Sequence, residues 1–260
     1  MNFEGKTVLV TGAGSGIGRA TGAQFAALGA SVGLLGRTRD ELEDVQDEIE
    51  RSGGRAAVLV ADVSDEEQMR AAVSDLVDRF GPPDVVVANA GINGVWAPID
   101  ELQPPEFDRT IAVNLRGTYL TLHFCVPHMK ANGGGAIVVV SSINGTRTFS
   151  SPGASAYTAT KAAQVAIVQQ TALELARHHI RVNAVCPGAI ATSIEENTSI
   201  RHPEETAFPV EYPEGKVPLS EGRPGTSGDV ADAIVFLSSE NARHITGTPL
   251  WIDGAQGLLL

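Results

Sequence analysis

The chain has 260 residues, of which 43% are hydrophobic and 19% charged, with a formal net charge of −12. That is ample apolar material for one globular unit of α/β size. The acidic balance argues against a sequence-independent nucleic-acid surface or an anionic-membrane surface. Cys125 and Cys186 each lie inside an apolar run and read as small buried hydrophobes of a reducing compartment. His128, His178, His179, His202 and His244 show none of the clustering with thiols or carboxylates that a zinc site needs, so no metal is expected.

Residues 6–11 read as an apolar strand, and with a strand so near the start no signal peptide is expected. The longest apolar runs, such as 136–140, fall far short of a membrane span, so a soluble cytoplasmic protein is expected. A glycine-rich turn follows, then a helical pattern over 17–28 ended by Gly29 as a C′ residue. Residues 31–35 are a second strand. Thr38 and Glu41 have the spacing of a capping box, opening a helix through Leu42, Val45 and Ile49. Strands at 56–61, 84–89, 136–141, 181–186 and near 248–252 alternate with helices at 65–80, 114–130, 155–177 and 229–238. The 155–177 helix is read as amphipathic through Ala162, Val165, Ala166, Val168, Ala172, Leu173 and Leu175.

Short buried strands alternating with helices predict a doubly wound, Rossmann-like parallel sheet of about seven strands, with helices on both faces. No linker divides the chain, so residues 1–260 are expected to form one domain. Ligands of such sheets bind beyond the strand C-termini, at the switch point. Thr11, Arg37, Asp62, Asn89, Ser142 and Pro187 all fall at or just after strand ends. Residues 192–228 break the regularity with five prolines and many Glu, Ser and Thr, and are expected to form a substrate lid.

Three stretches carry chemistry. Gly12, Gly14, Ser15, Gly16, Ile17 and Gly18 lie between strand and helix in a T-G-x-x-x-G-x-G spacing, where backbone N–H groups can approach a pyrophosphate. The second strand closes on Gly36, Arg37 and Thr38 with no acid before Asp40. A guanidinium there suits a 2′-phosphate, so NADP(H) is expected in preference to NAD(H), which stays possible. Tyr157 and Lys161, four apart on one helix, project from one face. A phenol with an ordinary pKa near ~10 is a poor proton carrier at neutral pH, and a nearby cation is expected to lower it.

Together with Asn89-Ala90-Gly91, Asn114, Ser142, Arg181-Val182-Asn183, Pro187-Gly188 and Asp253-Gly254, these motifs resemble the short-chain dehydrogenase/reductase family over essentially the whole chain. The resemblance implies Tyr157 as general acid/base and Lys161 as the group that holds the nicotinamide ribose and lowers the phenol pKa. Ser142 would polarise the substrate oxygen, and Asn114 would hold a relay water. Asp62 and Val63 would contact adenine, and Asn89, Ala90 and Gly91 would line the adenosine side. Pro187, Gly188, Ile190 and Thr192 would bound the nicotinamide. It further implies a carbonyl/alcohol oxidoreductase of small molecules and a homotetramer packed through helices 114–130 and 155–177. The alternatives are a lyase or epimerase on the same scaffold, or a non-catalytic dinucleotide sensor. One departure stands out: Ser142 and Tyr157 lie further apart than is usual in the family. The excess is read as a loop insertion around residues 146–152, and Ser141 or Asn144 could stand in for Ser142.

Overall fold

A computed structural model of the chain describes residues 1–192, 198–207 and 217–259. Its core is a seven-stranded sheet built from β1 (Thr7–Thr11), β2 (Ser31–Gly36), β3 (Arg55–Val60), β4 (Val85–Ala88), β6 (Gly135–Val140), β7 (Ile180–Pro187) and β9 (Pro249–Ile252). The spatial order is β3-β2-β1-β4-β6-β7-β9, every pairing is parallel, and the order reverses between β1 and β4. The strands are nearly continuous in Val, Leu, Ile and Ala because both faces are covered.

Alternate residues of each strand point to two separate cores. Leu9, Leu35, Val86, Ile137 and Val139 meet α3 (Glu66–Phe80), α5 (Gly117–Ala131) and α6 (Ser155–Leu175) through Met69, Leu76, Met129 and Val168. Val8, Val10, Leu34, Val138 and Val185 meet α1 (Gly16–Ala27), α2 (Arg39–Arg51) and α8 (Ser227–Ser238) through Phe25, Leu42, Val45 and Ile234. The expected single-domain, doubly wound fold is therefore the observed one.

Several local readings need correction. Thr38 makes no side-chain cap on α2, so the predicted capping box is not formed. Helix α3 is capped as its sequence allows, Asp65 accepting from the Gln68 amide at 3.0 Å. The helix expected at 114–130 starts earlier. A short α4 (Pro104–Thr110), with proline at its first turn, runs into a π-helical turn (Ile111–Arg116) and then α5. The paired prolines of its first turn hid that start, and the π turn carries Asn114.

The buried face of α6 is also not the apolar stripe read from sequence. It runs through Tyr157, Lys161, Gln164, Val168, Ala172 and Leu175, whereas Leu173 is 79% exposed. A two-stranded parallel pair, β5 (Gly94–Trp96) with β8 (Thr198–Ile200), was not expected, and it joins the start of the 192–228 region to the segment after β4. That region also holds a short α7 (Pro203–Thr206), and its residues 193–197 and 208–216 lie outside the described residues.

Candidate active site

The strand C-termini open on a cleft of about 440 Å³, within the range of ligand pockets. Gly12, Gly14, Ser15, Gly16 and Ile17 form its floor. Arg37, Asp62, Val63, Asn89, Ala90, Gly91 and Thr192 complete the walls among the predicted residues. The turn is shaped by close approach: a Cβ on Gly12 would stand 2.9 Å from Ala90 Cα, and Gly12 has a positive φ of 65°. A Cβ on Gly18 would lie 2.0 Å from the Gly12 carbonyl oxygen. Gly18 therefore packs behind the floor rather than lining it. Asn89 locks the turn from β4, its amide donating to the carbonyls of Thr11 (2.9 Å) and Gly12 (3.2 Å). A bare-backbone floor at the N-terminus of α1 fits a pyrophosphate.

At the adenosine end, Asp62 accepts from the Ser64 amide (2.9 Å) and hydroxyl (2.6 Å), with Arg109 at 3.4 Å. Burial alone would raise its carboxyl, but the Ser64 hydrogen bonds and the Arg109 charge together hold it below the ordinary range. The sequence reading missed Glu41. Instead of capping α2 it lines the cleft beside Arg37, its carboxylate 2.7 Å from where a Gly14 side chain would begin. Its position one turn into α2 was the available signal, masked by the capping-box pattern.

The predicted chemical residues converge where β6 and α6 meet. Tyr157 is 7% exposed, and its phenol lies close enough to the Ser142 hydroxyl for that group to favour its ionised form. Lys161 is 3% exposed; its Nζ lies 5.4 Å from the Tyr157 ring centroid and donates to the Val140 carbonyl at 3.0 Å. A Cβ on Gly91, a cleft-wall residue, would be 3.6 Å from that Nζ, so the group borders the cleft directly. Trp96 of β5 stands with its ring 6.2 Å from that of Tyr157.

Burial pushes the phenol of Tyr157 above its ordinary value, with the Ser142 hydroxyl pulling the other way. The net shift is upward because burial dominates, against the net lowering expected from Lys161. Burial also pushes Lys161 itself down to about 8. A desolvated ammonium beside a desolvated phenol leaves both groups biased toward neutrality.

The neighbours of Ser142 have other tasks. Ser141 Oγ donates to the Lys161 carbonyl (2.8 Å), and Asn144 Oδ1 accepts from Thr148 (2.9 Å) and Ser151 (3.1 Å). Asn114 is fully buried, and its amide bonds both backbone groups of Ile92 (2.8 and 2.9 Å) and the Thr160 hydroxyl (3.2 Å). The Asn114 backbone carbonyl accepts from the Gln164 side chain at 2.9 Å, a support the sequence did not single out. Pro187 ends β7 and Gly188 and Ile190 follow it, but none of the three lines the cleft. Gly188 donates to Ile252 (3.0 Å) and Ile190 bridges to Gly225. Thr192 closes over the turn, its Cβ 3.4 Å from where a side chain on Gly16 would begin.

A short chain dehydrogenase family profile matches residues 6–202. Glucose 1-dehydrogenase of Gluconobacter oxydans is 38% identical over 254 residues, 97% of this chain and 92% of that one. The chain belongs to the short-chain dehydrogenase family. The solved structure of a 3-ketoacyl-ACP reductase from Sinorhizobium meliloti is 69% identical with a TM-score of 0.94, covering 98% of this chain and all of that one. A 3-ketoacyl-(acyl-carrier-protein) reductase from Brucella melitensis, complexed with NADH, is 35% identical with a TM-score of 0.86 over 98% of this chain and all of that one. This short-chain dehydrogenase is therefore an oxidoreductase acting on CH–OH/C=O groups and a binder of nicotinamide dinucleotides.

Away from the cleft, the expectation that no histidine is clustered with carboxylates fails at one place. His202, Glu204 and Glu205 bring ligand atoms within 4.8 Å of one another, but all three are exposed. The His202 nitrogens face Glu204 (3.3 Å) and Glu101 (3.6 Å). Cys125 and Cys186 are free and buried, as expected. Among the described residues no helix is long and apolar enough to cross a membrane.

Proposed function

We propose that this enzyme is an NADP(H)-dependent oxidoreductase that interconverts a small-molecule carbonyl and a secondary alcohol, with Tyr157 as general acid/base. The observation that carries this reading is the meeting of Ser142, Tyr157 and Lys161 against the wall of a glycine-floored cleft. Gly12, Ser15, Gly16 and Ile17 would hold the pyrophosphate, Arg37 the 2′-phosphate, Asp62 and Val63 the adenine, and Thr192 the nicotinamide side. The dinucleotide supplies or accepts the hydride.

In reduction the hydroxyls of Ser142 and Tyr157 both hydrogen-bond the substrate oxygen. The Tyr157 O–H bond breaks as its proton passes to that oxygen, and the phenolate left behind is stabilised by the Lys161 ammonium. Because burial raises the phenol, its protonated form dominates at neutral pH, which suits carbonyl reduction. Alcohol oxidation needs the phenolate and rises with pH. Asn114 fixes the turn that bears it and, through Thr160, the helix carrying Tyr157 and Lys161. Residues 192–228 serve as the lid, and pairing of β8 with β5 brings that region beside Trp96. The protein works in the cytoplasm as a homotetramer, a reading supported by exposed Tyr119 and Leu173 on α5 and α6.

Tyr157→Phe tests the reading. Removing a positioned general acid should lower kcat by roughly 10²–10⁴-fold while the Kd for NADP(H) is unchanged. Near-normal kcat on a substrate the wild type turns over would refute the mechanism. Cofactor binding without turnover across a broad ketone and alcohol panel would favour a sensor.

A further inference from the structure

The loop between Ser142 and Tyr157 is fastened at its far side to the last strand of the sheet. The Trp251 indole donates to Thr146 Oγ1 at 3.1 Å, and that hydroxyl donates to the carbonyl of Ser142 (2.8 Å), shared with that of Ile143 (3.0 Å). The next residue, Arg147, lies with its guanidinium 4.0 Å above the Trp251 ring and 3.5 Å from the buried carboxylate of Asp253. Asp253 in turn accepts from the amides of Ala255 and Gly257, both at 3.1 Å. A side chain on Gly257 would begin 2.9 Å from Arg147 Cδ, so the turn and the loop are in direct contact. The same turn reaches the strand-end segment on the other side, Gln256 Oε1 accepting from the Ala189 amide at 2.7 Å.

We infer that Thr146 and Trp251 are positioning residues: the indole holds the threonine hydroxyl, and that hydroxyl fixes the backbone at Ser142 and so the direction of its side chain. The inference rests on the reading above that Ser142 bonds the substrate oxygen. Its physical basis is the length of the loop between Ser142 and Tyr157. Each extra loop residue adds conformational freedom, and a serine that must meet a developing alkoxide tolerates little of it. Inside the loop Ser142 Oγ already accepts from the Asn144 amide at 3.1 Å, which directs its one proton away from the loop. That bond aims the hydroxyl only as well as the backbone beneath it is held. The sheet supplies the hold, because β9 is hydrogen-bonded along β7. Arg147, stacked on the indole and paired with Asp253, fixes the ring plane and thereby the N–H direction.

The test uses full-length enzyme and a substrate that the wild type reduces. Thr146→Val removes the hydroxyl at nearly constant shape, and Trp251→Phe removes only the donor while keeping an aromatic ring. Each should lower kcat roughly fivefold, equivalent to about 1 kcal/mol of barrier, with KM and the NADP(H) Kd within twofold. The double variant should be no slower than Thr146→Val, because the indole acts only through the hydroxyl, and Thr146→Ser should restore wild-type kcat. Unchanged kcat in Thr146→Val or Trp251→Phe, additive losses, or equal losses in cofactor affinity would overturn the inference. If Thr146→Val does not fold, Trp251→Phe and Thr146→Ser decide it by themselves. Tyr157→Phe measured alongside separates the two readings. Turnover surviving there defeats the mechanism, whereas silence at 146 and 251 defeats only the anchor.

Discussion

Replacing Lys161 by methionine should make the protein more stable and abolish its usefulness as a catalyst. The ammonium is buried, and its proton affinity is pushed down to about 8 from the ordinary 10.5 by desolvation. That difference corresponds to about 3 kcal/mol withheld from folding whenever the lysine is charged. Methionine fills a similar volume without the charge but forfeits the hydrogen bond to the Val140 carbonyl, worth about 1 kcal/mol. The expected gain is therefore about 2 kcal/mol near pH 7.

The sign of the pH dependence follows from the same numbers. The unfolded chain keeps the lysine proton up to 10.5 and the folded chain only to about 8, so unfolding takes up a proton between those values. Relative to the methionine variant, wild-type stability should rise with pH across that window. The thiols of Cys186 and Cys125, pushed from 9.0 up to about 11 and about 12 by burial, lower stability above about pH 9 in both proteins alike, so the difference between the two isolates the lysine. Urea denaturation of both proteins at about pH 7 and about pH 9.5 measures this. A variant less stable than wild type at the lower pH, or a stability difference between the two that does not shrink as pH rises through the window, would refute the reasoning.

The remaining predictions concern the cleft and the proton. Gly18→Ala must displace the Gly12 carbonyl, 2.0 Å from the new Cβ, and should cost about 1–3 kcal/mol of stability together with NADP(H) affinity; Gly228→Ala in α8, where the nearest atom is 3.5 Å away, should cost neither by thermal melt and titration. Arg37→Ala should lower kcat/KM for NADPH and spare NADH, and Glu41→Gln should raise the NADPH to NADH ratio by removing a negative charge that faces the glycine turn. A preference for NAD that survives Arg37→Ala would end the argument for NADP. Carbonyl reduction should fall as pH rises past about 8, where Lys161 sheds its proton; an unchanged rate through that range would count against its role.

Much of this was legible in the residues because both parallel-sheet strands and glycine turns write their requirements locally. A strand covered on both faces must be apolar throughout, so all seven core strands could be read from short runs, as β1, β2, β4 and β6 illustrate. The T-G-x-x-x-G-x-G spacing marks a floor without side chains wherever it lies between strand and helix. The choice between Ser141, Ser142 and Asn144 had no such local mark. It depends on which hydroxyl faces α6 across the sheet, and there Ser141 bonds the Lys161 backbone while Ser142 meets Tyr157. The face of α6 was misread for a related reason. Hydrophobic spacing identifies a core-facing stripe only when the core is apolar, and here the buried face includes a tyrosine, a lysine and a glutamine.

The amino-acid order by itself determined the strand–helix alternation, the glycine-floored turn and the four-residue step from Tyr157 to Lys161, since each is set by backbone geometry within a few neighbouring residues. Tertiary structure alone decided that Glu41 enters the cleft, that Lys161 loses its solvent and with it part of its proton affinity, and that Trp251 reaches Thr146. Those outcomes depend on contacts between segments far apart in the chain and on the water that packing excludes, and no local pattern encodes either.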